Sequence, residues 1–217
     1  MVTVVMGAAK RAGRPTKAAT DNATDRIIAA ATKLFASRGF AGTSMEQIAS
    51  HCGAGKDTVY RRYPSKVVLF EAVVEHAHKI AFEKLSQVLQ TSGDPIEKLQ
   101  SLMLQLLYLN MEPELIALKR ITFSEAVVFE KNAPIPPQPD PIMGKLVEAV
   151  EEAQNAGDLC AGDALKLASY LIHCLVALPT TAAMMGSNEF DTRREIEAHF
   201  HRTWHWLISG VSCNRVS

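Results

Sequence analysis

Aromatic residues make up only 6% of this 217-residue chain, and its four cysteines, Cys52, Cys160, Cys174 and Cys213, lie far apart with no CxxC. That spacing argues against a disulfide scaffold and fits separate thiols in a reducing cytoplasm. No run approaches the roughly 18 to 20 uncharged apolar residues that cross a bilayer, so no membrane partner is expected. The opening MVTVV is too short for a secretory core, and the expected location is cytoplasmic. Catalytic signatures are missing as well: there is no GxSxG, no Walker loop, no HExxH and no Cys/His arrangement. Gly53-Ala54-Gly55-Lys56 follows no strand and has the wrong glycine spacing for a phosphate loop. The expectation is a protein that is not an enzyme and uses no cofactor.

Net charge is also absent, at +0, but only in the sum. Residues 1–66 hold eleven Lys and Arg against four acids, and residues 67–217 hold twelve against nineteen, a split of +7 and −7. A basic N-terminal part can meet phosphates while an acidic remainder stays off the duplex. Three parts are expected: a disordered basic arm over 1–20, a helix-turn-helix DNA-binding unit over 21–66, and a helical ligand-binding and dimerisation domain over 67–217. The arm carries Lys10, Arg11, Arg14 and Lys17. It reads equally well as a solubilising tail and as a non-specific hold on DNA.

Punctuation is densest between Thr43 and Lys66. Thr43 or Ser44 can cap a helix with Glu46 or Gln47 three residues on, and Gly53 can close it in the left-handed conformation. A second short helix follows, with Val59 inward and Lys56, Thr58, Tyr60, Arg61 and Arg62 in quick succession, before Pro64 ends it and Ser65 caps the next. Neither helix is long enough to stand alone in water, so both must lean on neighbours. A short capped helix crowded with cations and donors suits a DNA groove.

Elsewhere the pattern is helical throughout, with no convincing strand. A first helix is expected from near Thr24 to Gly39. A long one, from Lys66 to about Gln90, carries apolar residues from Val67 through Phe70, Val73, Ala77 and Ile80 to Leu85 on a broad arc. Asp94-Pro95 opens a very apolar helix to about Asn110, and Glu112-Pro113 another through Phe129. Residues 132–141 hold five prolines in ten and form a loop, after which Ile142 to Gln154 is amphipathic. Asp163 caps a helix to about Leu178 that extends or bends near Pro179, and Asp191 opens the last. The fold class is all-α, with about nine helices. The final pair exposes more apolar surface than one partner could cover, which a four-helix bundle of two chains would bury.

In LFASRGF, the Thr43-Ser44 cap, Ile48-Ala49, Gly53, Thr58-Val59-Tyr60 and Tyr63-Pro64-Ser65-Lys66, residues 24–70 resemble the TetR family of bacterial transcriptional regulators. The resemblance implies a three-helix DNA-binding unit and a C-terminal domain that binds a ligand and forms a homodimer through its last two long helices. By position it implies that Thr58, Tyr60, Arg61 and Arg62 face the groove of double-stranded operator DNA, with Tyr60 and Lys66 at phosphates. It also implies that Ser44 and the start of the first short helix touch the backbone, and Lys56 is counted with the DNA-binding residues. Two residues depart from the family pattern: Gly55 stands where a capping Ser or Thr is usual, and Arg62 where His is common.

Beyond residue 70 the likeness fades. A cavity for a small hydrophobic or aromatic effector is expected among Leu102, Met103, Leu106, Leu107, Phe123, Phe129, Met143, Leu171, His173 and Met184. His173 is equally readable as a core histidine. His201 and His205 share a helix face at i, i+4, but no third ligand is evident, so no metal is expected. The mechanism implied is a repressor that leaves a palindromic operator when the effector binds. An activator of the same architecture, or an all-helical small-molecule-binding protein or enzyme, are the alternatives.

Overall fold

The computed structural model describes residues 17–89, 93–124 and 140–211. Nine helices run through these residues. They are α1 (Lys17–Arg38), α2 (Met45–Cys52), α3 (Lys56–Arg62), α4 (Lys66–Leu89), α5 (Pro95–Asn110), α6 (Pro113–Ser124), α7 (Pro141–Ala156), α8 (Ala164–Met184) and α9 (Arg193–Val211). Among the described residues there is no strand. Helix α1 begins at Lys17, about two turns ahead of the expected Thr24, so the end of the expected basic arm is helical. Residues 1–16, and Phe129 with the proline-rich stretch up to Pro139, lie outside the described residues.

Two apolar clusters organise the chain. The first gathers Ile27, Ala31, Leu34 and Phe35 of α1, Ile48 of α2, Val59 of α3 and Leu69, Phe70 and Val73 of α4. At its centre Phe35 stacks on Phe40 at 5.7 Å, and both meet Phe70 edge-on at 5.3 and 5.6 Å. Leu118 and Ile121 of α6 are buried in this same cluster, so α6 is bolted to the N-terminal unit. The second cluster holds α5, α7, α8 and α9 together through residues such as Leu99, Met103, Leu146, Leu171 and Phe200. Leu85 brings the end of α4 into it. Helix α4 therefore belongs to both clusters. Its outer surface still shows Ile80, which the spacing had placed inward, at 38% exposure.

Local chemistry sets the helix ends. Asp94, Asp140 and Asp163 each accept a backbone N–H of the first turn, from Ile96, Ile142 and Lys166 at 3.2, 2.9 and 3.1 Å. For α9 the cap is Thr192 rather than Asp191: Glu195 accepts from the Thr192 backbone at 2.9 Å, and Thr192 Oγ1 accepts the Glu195 N–H at 3.3 Å. Helix α8 continues past Leu178 by widening into a π-turn over His173–Ala177. Pro179 has no N–H to give the Leu175 carbonyl and its ring crowds that position, so the extra residue per turn makes room. Thr180 Oγ1 donates back to Val176 at 2.7 Å just beyond.

Helix α8 also corrects the reading that no stretch approaches membrane-spanning length. Its 21 residues are long and apolar enough to cross a bilayer, and only 33% of that window is buried within the chain. The apolar surface left outside includes Tyr170, Leu178 and, just beyond the helix, Met185, with Trp206 on α9.

Candidate nucleic-acid interface and ligand cavity

Helices α2 and α3 form a helix-turn-helix whose bend is built as the sequence suggested. Ser44 Oγ accepts the Gln47 N–H at 3.2 Å while Gln47 Oε1 accepts the Ser44 N–H at 3.0 Å, a complete capping box. Thr43 takes the other role: it is buried, and its hydroxyl donates to the Gly39 carbonyl at 2.8 Å, tying off the end of α1. Gly53 has φ 64°, and its N–H meets the last carbonyls of α2. The preceding approach is closed by Gly42, where any Cβ would lie 2.3 Å from the Arg38 carbonyl oxygen. That requirement went unread in the sequence. So did Arg26, whose guanidinium donates to the Cys52 carbonyl and holds α1 against the turn.

Helix α3 is anchored by Val59, which is fully buried, and presents Lys56, Tyr60 and Arg61 to solvent. Gly55 stands at its N-cap with no side-chain bond, as the missing Ser or Thr implied. The Tyr60 hydroxyl donates to Glu46 Oε1 at 3.2 Å, and Lys56 Nζ sits 3.8 Å from the same oxygen. Glu46 is held below the usual carboxylate range, first by its backbone hydrogen bond and then by Tyr60. Tyr60 is pushed up by desolvation and by that carboxylate. Thr58 is half-buried.

Two of the seven residues expected at DNA, Arg62 and Lys66, make hydrogen bonds within the unit. Arg62 turns its guanidinium toward α1 and donates to Thr24 Oγ1. Lys66 Nζ donates to the carbonyls of Phe40 and Thr43 at 2.7 and 2.9 Å and lies 4.4 Å from the Phe40 ring centroid. A cation over an aromatic face with two carbonyl acceptors is a structural clamp. In this arrangement Lys66 joins the α1–α2 turn to the start of α4. Beside it a surface depression is lined by Ser44, Gln47, Tyr60, Ser65 and Lys66, with the first turns of α2 and α4 at its rim.

Further in, a cavity of about 760 Å³ opens between α4, α5 and α6 and reaches α1, Asp140, the first residues of α7 and the middle of α8. Its walls include Thr24, Ile28, Tyr63, Ala77, His78, Phe82, Leu106, Asn110, Leu118, Lys119, Thr122, Phe123, Asp140 and Val176. Of the ten residues expected to line a pocket, Leu106 and Phe123 do so. Leu102, Met103, Leu107 and Leu171 are buried in the second core instead, and Met143 packs against it. They lie on the faces of their helices that touch other helices. His173 points outward, its Nδ1–H donating to the Ser169 carbonyl at 2.6 Å. Met184 contributes its carbonyl to Arg120 Nε at 2.8 Å. Phe129 lies outside the described residues.

The polar lining was missed altogether. Lys119 Nζ donates to Asn110 Oδ1, and burial lowers its pKa to about 8. His78 is lowered by burial too, partly countered by Asp140 and reinforced by Lys119. A signal did exist. Leu115, Leu118, Lys119, Thr122 and Phe123 fall at i, i+3, i+4, i+7 and i+8, which puts Lys119 in the middle of one helical stripe. Val74, Ala77, His78, Ala81 and Phe82 repeat that spacing with His78 in the same place.

The remaining histidine signals resolve elsewhere. His201 and His205 are exposed on α9, and among the described residues no three potential ligands gather. His199 is buried beside the π-turn, and burial lowers its pKa more than the nearby carbonyls of Cys174 and Leu175 raise it.

A family profile for bacterial regulatory proteins of the tetR family matches residues 27–73, the span of the N-terminal core and its helix-turn-helix. A TetR-family transcriptional regulator structure from Mesorhizobium loti superposes with a TM-score of 0.74 and 25% identity, covering 91% of this chain and 100% of that one. The nucleoid occlusion factor SlmA of Aliivibrio fischeri is 27% identical over 113 residues, 51% of this chain and 56% of its own. In Mycolicibacterium smegmatis the repressor KstR2 is 31% identical over 36% of this chain and 38% of its own, and the activator FasR 27% over 37% of each. The matched stretch thus spans about half or less of the length of these curated relatives. The N-terminal sequence motif and the fold are those of TetR-family regulators.

Proposed function

We propose that this protein is a ligand-responsive transcriptional repressor that binds a palindromic DNA operator as a homodimer and leaves it when a small effector enters the cavity. The observation that carries the reading is a shared wall. Helices α4 and α6 line the 760 Å³ cavity and also supply Leu69, Phe70, Leu118 and Ile121 to the core that seats α3. A molecule that wedges these helices must move the platform on which Tyr60 and Arg61 stand. In this reading the DNA-binding unit is 21–66 and the effector and dimerisation part is 67–217, with 1–20 as a separate basic segment. The exposed apolar residues of α8 and α9 form the surface that a second copy would cover as a four-helix bundle.

Two helix-turn-helix units in such a dimer enter successive major grooves when their separation is roughly 34 to 36 Å. An effector that favours another separation lowers operator affinity by its differential binding, a coupling of about 1 to 3 kcal/mol. Selection of binding sites from a random duplex library tests the proposal. It predicts enrichment of an inverted repeat and a footprint over the promoter of a gene that is silenced in its presence. A footprint just upstream, with expression rising, would make the protein an activator. Failure to enrich any duplex would leave an all-helical small-molecule-binding protein or enzyme.

A further inference from the structure

The second cluster is apolar and the cavity walls mostly so, yet one half-buried ammonium group is placed among them with a single hydrogen-bond acceptor among the described residues. Lys119 enters the cavity from the middle of the α6 stripe, flanked by Leu115, Leu118 and Phe123. Its Nζ donates to Asn110 Oδ1, and the Asn110 amide is itself fixed because Nδ2 donates to the Leu106 carbonyl at 2.7 Å. An ammonium has three N–H donors, and among the described residues one of them is used. Among the described residues no carboxylate lies within ion-pair distance of it. Asp140, the inward-facing acid of the cavity, spends one oxygen on the Ile142 N–H at the start of α7, where the helix dipole offsets its charge. Glu75 and Lys79 stand at the exposed edge.

A half-buried cation with no ion-pair partner among the described residues costs stability, and proteins that keep one generally use it. His78 comes from α4 to the same cavity and supplies a further ring N–H. From this geometry we infer that the effector is an amphipathic anion: an apolar body in the cavity, with a compact anionic head such as a carboxylate bound by Lys119 and assisted by His78. The inference rests on the cavity being the effector site, and it replaces the purely hydrophobic or aromatic effector expected from the sequence. It also names the contact that draws α4 and α6 together, since the head bridges one residue of each.

Two fluorescent dyes with the same apolar body separate body from head: 1-anilinonaphthalene-8-sulfonate, which is anionic, and N-phenyl-1-naphthylamine, which is neutral. Titration of the full-length protein is expected to show one saturable site per chain for each dye, with decanoate displacing the anion. Lys119→Met should weaken the anionic dye about tenfold or more and leave the neutral one within about twofold, as loss of a charge-assisted bond requires. Lys119→Arg should restore the anionic dye. Equal binding of the anionic dye to wild type and Lys119→Met, with the neutral dye still bound, would overturn the head-group inference and leave the cavity standing. Binding of neither dye nor decanoate to the folded wild type would overturn both.

Discussion

Two half-buried lysines, one on each side of the chain's division of labour, are treated in opposite ways. Lys66 in the N-terminal unit is satisfied by two carbonyls and an aromatic face. Lys119 in the C-terminal part has one amide oxygen and an open cavity. The first unit is built from local signals that satisfy one another, and the second keeps, among the described residues, an ammonium with one acceptor in the cavity proposed to take the effector. That contrast is what a fixed reading head and an adaptable sensor require, and it can be tested by trying to erase it.

The largest effect is expected where the N-terminal unit is most tightly built. Phe35→Ala removes the ring at the centre of the Phe35–Phe40–Phe70 cluster and should cost about 3 to 5 kcal/mol in chemical denaturation, enough to unfold the unit in a marginally stable domain. Next, Lys66→Met should destabilise by about 1.5 to 3 kcal/mol, because the Phe40 and Thr43 carbonyls lose a charged donor. The identical change at the other lysine, Lys119→Met, should instead stabilise the protein by about 1 kcal/mol, since it removes a poorly solvated charge. If both substitutions destabilise alike, the contrast between the two regions collapses.

The pH dependence sharpens it. The folded pKa of Lys119 is about 8, below its ordinary value of 10.5, so the folded state gives up the proton first. Between these values the unfolded chain binds more protons, and stability contributed by this site rises with pH. Denaturation of wild type and Lys119→Met at pH 7.5 and 9.5 should show their difference shrinking at the higher pH. The smallest effect is at the bare cap of α3. Gly55 has φ −65° and ψ 143°, which suits serine, and a Cβ there would meet only Thr58 Oγ1 at 3.9 Å. Gly55→Ser should stabilise by about a few tenths of a kcal/mol.

The same contrast explains what could be read in advance. Ser44 with Gln47, Gly53, Val59 and Ser65 act within a few residues of themselves, so spacing alone placed them. The number and order of helices followed from equally local caps at Asp94, Asp140 and Asp163. The cavity depends on which faces of six helices happen not to touch. Leu102, Met103, Leu107 and Leu171 are as apolar as any lining residue, but α5, α7 and α8 press them together. Counting apolar residues favoured those positions over Lys119 and His78, whose polarity inside an apolar stripe was the better clue. The intrachain roles of Arg62 and Lys66 were hidden for a related reason. Their charge suggested DNA, and only the folded unit reveals Thr24 and the Phe40 carbonyl beside them.

The central claim is that α3 reads DNA through side chains that the N-terminal core merely holds in place. Arg61 is the cleanest probe, being exposed on α3 next to the anchored Val59. The direct measurement is a fluorescence-anisotropy titration of the selected duplex with wild type and Arg61→Ala across a salt series, with thermal melting as a fold control. The account predicts unchanged melting, affinity reduced about tenfold or more, and a shallower salt slope if the lost contact is to phosphate. An Arg61→Ala protein that melts normally and binds the duplex as tightly as wild type at every salt concentration would contradict it.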